Sequence, residues 1–175
     1  MKKVYFLISI LLLTLTIGCA ASYKEIRKSE LPLANYPKVT MLPVKVDTFW
    51  ENHPNLKSNL EWEQQVNRAS QHIETKVAYY FSQKETAEDA KELKVDATLF
   101  VFDPGSRALR YFFGIFGAGK GKIGYRVKLL DGETDEPIAE YDAYGTLPLG
   151  MFGGDIGHAY DKCANAIIRY IEDHR

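Results

Sequence analysis

The amino-acid sequence predicts an α+β domain behind a cleavable export signal, with a mostly antiparallel sheet of about four strands and two main helices packed on one face. Apolar side chains recur at helical spacing in residues 60–84 and 156–171, which predicts the two helices. Residues 122–131 and 138–147 alternate between apolar and polar side chains, which predicts a β-hairpin. Removing residues 1–18 leaves about 157 residues, enough for one domain.

Residues 1–18 have the features of a bacterial secretory signal. Lys2 and Lys3 give a positive start, and residues 4–17 are apolar apart from one Ser and two Thr. A membrane-spanning helix needs roughly 20 apolar residues, and this run is shorter. The pattern therefore predicts a cleaved signal peptide rather than a stable membrane span.

The signal ends at Gly18, Cys19 and Ala20, a junction that resembles the lipobox of bacterial lipoproteins. The resemblance implies that Cys19 becomes the N-terminus and that its thiol carries a diacylglyceryl group, with acyl chains such as palmitate. Lipoboxes usually have Leu, Val or Ile three residues before the cysteine, where this chain has Thr16. The alternative is an ordinary secreted protein in which Cys19 keeps a free or disulfide-bonded thiol.

The predicted anchor places the protein at the cell envelope. Several acyl chains hold a protein stably in a membrane, because each buried methylene contributes about 0.8 kcal/mol. In proteobacterial sorting, an Asp after the lipidated cysteine retains a lipoprotein at the inner membrane. Ala20 therefore implies the periplasmic face of the outer membrane if the source is Gram-negative.

Residues 19–37 mix charged, small and proline residues without a sustained period, and we interpret them as the lipidated N-terminus and a tether to a single domain over residues 38–175. Residues 38–47 are β-branched and apolar but contain a proline, which predicts a strand near a sheet edge or with a bulge. Residues 49–59 are predicted to form a loop. Its Phe49-Trp50 pair either packs onto the core, which we favour, or faces a partner.

A long amphipathic helix is predicted next. Its apolar stripe comprises Trp62, Val66, Ala69, Ile73, Val77 and either Tyr80 or Phe81. His72 lies beside this stripe without a second His or Cys at ligand spacing, so it is interpreted as a boundary residue, and no metal site is predicted. Residues 86–93 favour one further short helix, and residues 95–102 are typical of an interior strand.

The last helix is predicted to follow an N-cap at Asp155. Its apolar stripe comprises Ile156, Tyr160, Cys163, Ile167 and Ile171. Cys163 would be the one thiol left once Cys19 is acylated, so no internal disulfide is possible. Its place on the stripe favours a small buried hydrophobe over a reactive thiol.

Two glycine patterns resemble nucleotide-binding motifs but lack their context. Residues 114–120 fit G-x-x-x-x-G-K, yet Gly121 stands where a magnesium-binding Ser or Thr is needed. Residues 119–124 fit G-x-G-x-x-G, yet a strand follows where a helix is required. The chain also has 22 basic and 23 acidic residues, which gives no basic excess for nucleic acid. The sequence therefore predicts no cofactor, no bound nucleotide and no nucleic-acid partner.

The glycine-rich loop before the hairpin is strongly aromatic. Five large apolar residues in such a loop either fold over a sheet edge, which we favour, or are displayed to a partner or membrane. The candidates for partner binding are Arg107, Arg110, Tyr111, Phe112, Phe113, Phe116 and Lys120.

Three segments together resemble a family of bacterial lipoproteins. They are residues 103–120, with the run R-Y-F-F-G-I-F-G-A-G-K, residues 127–134 (V-K-L-L-D-G-E-T) and residues 150–154 (G-M-F-G-G). The chain resembles the DUF4410 family over residues 36–172. That resemblance implies an exported α/β domain and brings no catalytic residues.

These features favour a non-enzymatic envelope lipoprotein that binds a protein or cell-wall partner. The alternative is an envelope hydrolase using His158 with the nearby carboxylates of Asp155 and Asp161, or with Ser106 as nucleophile. No nucleophile, base and orienting group occur at a recognisable spacing, so a surface role for His158 is favoured.

Overall fold

The computed structural model describes residues 22–103, 121–146 and 157–175. In these ranges the chain forms one five-stranded sheet, four α-helices and one 3-10 turn. The strands are β1 (Ser22–Arg27), β2 (Lys38–Met41), β3 (Glu92–Asp103), β4 (Lys122–Asp131) and β5 (Pro137–Thr146). The helices are α1 (Asp47–Asn52), α2 (Pro54–Lys57), α3 (Leu60–Ser82) and α4 (Gly157–Asp173), and the 3-10 turn is Leu33–Asn35.

The sheet is mixed, with the strand order β1-β5-β4-β3-β2. Three neighbouring pairs are antiparallel, and β2 runs parallel to β3. The α+β class is confirmed, but the expectation of about four strands, mostly antiparallel, is wrong. The parallel pair arises because the long helix α3 carries the chain back to the end of the sheet at which β2 began, so that β3 runs in the same direction.

The strand that the sequence analysis did not expect is β1. It lies in the segment predicted as a tether, and that prediction is wrong. Five of its six residues are exposed, so its composition resembles that of a linker. Its strand conformation depends on pairing with β5, which begins with Ser22 opposite Tyr144. Further along, the side chain of Leu33 is fully buried, and its N–H donates to the carbonyl oxygen of His174 at 3.0 Å. Most of this segment is therefore part of the domain.

The hydrophobic core lies between α3, α4 and one face of the sheet. The predicted stripe of α3 is buried at Val66, Ala69, Ile73 and Val77, and Phe81 rather than Tyr80 completes it. The hairpin is confirmed, with its buried side chains at Ile123, Tyr125, Val127, Leu129, Ala139, Tyr141 and Ala143. The stripe of α4 is confirmed at Tyr160, Cys163, Ile167 and Ile171, whereas Asp155 and Ile156 lie outside the described residues.

Two local predictions are wrong. Residues 49–59 form parts of α1 and α2 rather than a loop, and Pro54 stands at the start of α2, where a missing N–H costs nothing. Phe49 and Trp50 are buried, which confirms that they pack onto the core. Residues 86–93 do not form a helix: they contain a turn and the start of β3, because Glu92 pairs with β2.

Pro43 acts as the edge-strand prediction expects. β2 is an edge strand that ends at Met41, because proline has no N–H with which to continue the ladder. The chain then rejoins β3 at Lys45, whose N–H donates to Ala97 at 2.9 Å and whose carbonyl oxygen accepts from the Leu99 N–H at 2.9 Å.

Candidate functional site

The face of the sheet away from α3 and α4 carries an aromatic and charged cluster, here called the Arg126 face. It comprises Phe100, Gly124, Arg126, Asp142 and Tyr144. A bulge in β3 lies within it: Leu99 pairs with Tyr125 and Val101 with Gly124, so Phe100 is an extra residue in its strand. The bulge keeps both Leu99 and Phe102 in the core while Phe100 lies on the opposite face.

Gly124 allows two rings to meet over the sheet. A Cβ atom at this position would lie 3.1 Å from the Phe100 Cζ and 3.1 Å from the Tyr144 Cε1. Without that atom, the two ring centroids are 5.9 Å apart in an edge-to-face arrangement. Lys122 adds a cation, with its Nζ 4.3 Å from the centre of the Tyr144 ring.

Arg126 is held in place by carboxylates of β5. Its Nε donates to the Asp142 Oδ1 at 3.0 Å and lies 3.7 Å from the Glu140 Oε1. The hydrogen bond that Arg126 donates to Asp142 raises the pKa of Arg126. Asp142 is itself buried, and its Oδ2 accepts a hydrogen bond from the Tyr144 hydroxyl at 3.1 Å. These contacts position the guanidinium carbon 5.5 Å from the centre of the Phe100 ring.

A pocket of about 230 Å³ opens beside this guanidinium. Its lining comprises Thr48, Thr98, Leu99, Phe100, Arg126 and Lys128. Two cationic groups, two hydroxyls and an aromatic ring are combined there, and no lining residue is acidic. This combination suits a ligand with an anionic group next to an apolar or ring-shaped surface.

The predicted lipid-attachment residue Cys19 lies outside the described residues. So do the predicted partner-binding residues Arg107, Arg110, Tyr111, Phe112, Phe113, Phe116 and Lys120. The choice between burial and display of residues 111–116 therefore stays a prediction. The residues on either side of this loop are placed: Asp103 pairs with Lys122, and Lys122 pairs with Thr146.

His158 and Asp161, the described members of the hydrolase alternative, have different surroundings. His158 is exposed in the first turn of α4. Asp161 bridges the two long helices, because it accepts hydrogen bonds at 2.8 Å from both the Lys76 Nζ and the His72 Nε2 of α3. Both hydrogen bonds lower the pKa of Asp161, and the one from Lys76 has the larger effect. His72 is half-exposed, which confirms its boundary position.

Neither a metal-ligand cluster nor a membrane-spanning helix occurs within residues 22–103, 121–146 and 157–175. Within these ranges, no three His, Cys, Asp or Glu side chains come close enough together to ligate a metal ion. Among the helices of the same ranges, none has the length and apolar character required to cross a membrane.

The Arg126 face was not predicted from sequence. In the sequence, Arg126 and Asp142 are simply polar residues within two alternating segments, 122–131 and 138–147. A strand glycine such as Gly124 is a sequence signal for the close approach of other groups. That signal does not identify Phe100, whose place beside Gly124 depends on the pairing of β3 with β4.

No family model matches the chain, so the resemblance to DUF4410 stays a prediction, and no curated protein matches it. Solved structures with some similarity include a PelC dodecamer protein from Paraburkholderia phytofirmans, with 12% identity, a TM-score of 0.43 and coverage of 84% of this chain and 94% of that one. The hypothetical protein CT253 from Chlamydia trachomatis has 13% identity and a TM-score of 0.44, covering 79% and 97%.

A protein from Caulobacter crescentus that carries a provisional assignment as a lipoprotein has 9% identity and a TM-score of 0.40, with coverage of 81% of this chain and 90% of that one. For all three proteins the identity is 13% or lower and the TM-score is below 0.5. Values in this range transfer no function to the present chain.

Proposed function

We propose that this protein is a membrane-anchored envelope lipoprotein with a non-enzymatic binding or accessory role towards a protein or cell-wall partner. The observation that carries the binding role is the open pocket of the Arg126 face, in which Arg126 and Lys128 lie beside the Phe100 ring. The lipobox-like junction at Cys19 supports the anchor and a place on the periplasmic face of the outer membrane.

The side chain of Arg126 in this pocket is preorganised for binding. Asp142 and Glu140 hold the Arg126 guanidinium against the Phe100 ring, so little side-chain freedom remains to be lost on binding. Lys128 is exposed and brings a second positive charge to the same opening. Because Asp142 and Glu140 offset the charge of Arg126, an anionic group of a cell-wall polymer or an acidic protein segment would be matched chiefly by Lys128.

The aromatic loop is a second proposed contact. Because Asp103 and Lys122 pair with each other, residues 104–121 leave and re-enter the sheet at one point. Lys122 also lies close to Tyr144 of the Arg126 face. We therefore propose that a partner bound beside Lys122 and Tyr144 also contacts Arg107, Arg110 and Lys120.

The non-enzymatic part of the proposal rests on how the charged groups are used. Asp161 links α3 to α4, and Asp142 positions Arg126, so both carboxylates already have structural partners. His158 is exposed at the start of α4. The arrangement of a nucleophile, a base and an orienting group that defines hydrolase sites is not formed by these residues.

Site-specific photocrosslinking in intact cells tests the binding role. A photoreactive amino acid at Lys128 should give a defined crosslinked product, and the same probe at Lys57, an exposed residue of α2, should not. Combining the Lys128 probe with Arg126→Gln should abolish the product, while Arg169→Gln, which removes an exposed arginine of α4, should leave it intact. An unchanged product with Arg126→Gln would contradict the pocket as the binding surface.

Mass spectrometry of the protein from its native membrane tests the anchor. The expected species begins at Cys19 and carries the mass of its acyl chains. A species with an intact Met1, or with an unmodified Cys19, would contradict the lipoprotein proposal.

A further inference from the structure

We propose that one end of the sheet, formed by Ser22, Asp103, Lys122 and Thr146 and here called the Ser22 end, faces the bilayer and contacts anionic lipid headgroups. This inference rests on the proposed acylation of Cys19 and deepens it, because it assigns the surface of the folded domain that meets the lipid. The short chain between Cys19 and Ser22, the contacts of β1 and the charges at the two ends of the sheet support this orientation.

The connection between the acylated residue and the sheet is very short. Two residues, Ala20 and Ala21, separate Cys19 from Ser22, the first residue of β1. Even fully extended, these three steps span at most about 11 Å. A strand of ten residues such as β4 is roughly 33 Å long, so the opposite end of the sheet cannot come as near to the acyl chains.

β1 cannot easily peel away from the sheet to lengthen this connection. Its Tyr23 packs edge-to-face on Tyr170 of α4, with ring centroids 5.0 Å apart, and its hydroxyl donates to the Asp173 Oδ2 at 3.2 Å. Glu25 accepts a hydrogen bond from the Tyr170 hydroxyl at 3.3 Å and lies 3.1 Å from the His174 Nε2. Two side chains on the face of β1 that meets α4 are thus tied to the domain.

The chemistry of the Ser22 end suits a headgroup layer. Lys122 is exposed and stacks over the Tyr144 ring, a combination of lysine and tyrosine that is favoured at membrane interfaces. Lys162 reaches the same end and donates to the Thr146 carbonyl oxygen at 3.1 Å. Asp103 brings one carboxylate to these strand termini, and those of Glu61 and Glu63 stand at the start of α3, whose Trp62 packs against Phe102. Two ammonium groups near a bilayer attract anionic lipids.

At the opposite end of the sheet, the turn between β4 and β5 is acidic, and the exposed Lys28 and Lys91 lie near that end. The turn between β4 and β5 carries the acidic side chains of Asp131, Glu133, Asp135 and Glu136. Backbone N–H groups hold Asp131 in its ionised form, that of Glu133 at 2.9 Å and that of Thr134 at 3.1 Å. Lys94 offsets the charge of Asp135. An anionic surface would repel this turn, so charge and chain length favour the same orientation.

Fluorescence quenching on vesicles tests the orientation. The full-length acylated protein is labelled at His158→Cys, in the first turn of α4, or at Glu133→Cys, in the acidic turn, and both positions are exposed. The vesicles contain phosphatidylethanolamine, phosphatidylglycerol and a lipid with a nitroxide on its headgroup. Because the two ends of the sheet are roughly 30 Å apart, the label at position 158 should be quenched at least about threefold more strongly than that at 133. Equal quenching, or stronger quenching at 133, would overturn the orientation.

The contact with anionic headgroups is tested by removing charge. Lys122→Gln combined with Lys162→Gln should weaken the quenching of the label at position 158. The quenching that remains should no longer depend on the phosphatidylglycerol content of the vesicles or on salt. The matched control, Lys28→Gln with Lys91→Gln, removes two exposed lysines near the opposite end and should change neither. An unchanged dependence in the Lys122 and Lys162 variant would overturn the headgroup contact. A protein that lacks acyl mass and floats free of the vesicles would instead contradict the lipoprotein proposal.

Discussion

Gly145 of β5 lies against the carbonyl oxygen of Ala159 in α4, so closely that a Cβ atom at position 145 would be only 1.9 Å from that oxygen. The same atom would be 3.1 Å from the Cys163 backbone nitrogen. Two residues earlier in the strand, the Ala143 carbonyl oxygen accepts a hydrogen bond from the Cys163 thiol at 3.3 Å. The helix therefore packs on β5 backbone to backbone, and this contact requires a residue without a side chain.

Replacing this glycine should damage the fold. We expect Gly145→Ala to lower the free energy of unfolding by about 3 kcal/mol or more, because helix backbone must move to admit the methyl group. Urea denaturation measures the loss. Gly124→Ala is the control: its new methyl group meets the ring edges of Phe100 and Tyr144, which can rotate, so a loss of about 1 kcal/mol is expected. Equal losses would contradict the close packing of α4 on β5.

The thiol of Cys163 should be inert in the folded protein. It is fully buried, and burial raises the pKa of the Cys163 thiol, so both access and the thiolate form are suppressed. A thiol reagent at neutral pH should react with the acylated native protein only after denaturant is added. Rapid reaction of one thiol under native conditions would mean either that Cys163 is accessible or that Cys19 carries no diacylglyceryl group, and peptide mapping distinguishes these two cases.

The bridge between α3 and α4 should make stability depend on pH in acid. The pKa of Asp161 is lowered by Lys76 and then His72, so the stabilisation is present above the ordinary carboxyl pKa of about 3.9 and is lost as the pH falls through the lower pKa of the folded state. Asp161→Asn should cost about 1 kcal/mol or less at pH 7, because the carboxylate is half-exposed.

At lower pH, the unfolding free energies of the parent protein and of Asp161→Asn should converge. Glu51→Gln, at an exposed carboxylate of α1, is the control and should show no such convergence. A constant difference between parent and Asp161→Asn from pH 7 to pH 3 would contradict the charged bridge.

β1 should behave as a folded strand rather than as a tether. Tyr23→Ala removes the ring that packs on Tyr170 and Tyr141, and we expect it to cost about 1–2 kcal/mol. Hydrogen exchange should then accelerate in β1 while β3 and β4 stay protected. Lys24→Ala, an exposed change in the same strand, should leave exchange almost unaltered. Fast exchange of the β1 amides in the parent protein would mean that this segment is a tether after all.

The elements predicted correctly are those in which local pattern and burial agree. The stripes of α3 and α4 and the alternation of β4 and β5 all reflect one buried and one solvated face, so their periods are visible in sequence. β1 has no such signal, because it is an edge strand with mostly exposed, charged side chains. Its conformation is stabilised by backbone pairing with β5, over a hundred residues further along the chain.

The candidate site depends even more on distant contacts. Phe100 lies on the Arg126 face by alternation from Leu99, and the bulge beside it shifts the following residues by one, so that Phe102 returns to the core. The composition of residues 95–102 predicts an interior strand but contains no sign of that shift. Asp142 reads as an ordinary polar residue until its neighbours Arg126 and Tyr144 are brought beside it.

The α+β class, the two main helices, the hairpin and the buried position of Cys163 could be predicted from the sequence. They follow from the spacing of apolar side chains along the chain. The parallel pairing of β2 with β3, the place of β1 in the sheet and the assembly of the Arg126 face are visible only in the folded chain. These depend on hydrogen bonds and contacts between residues that are far apart in sequence, and such pairings leave no periodic trace in the composition of either partner.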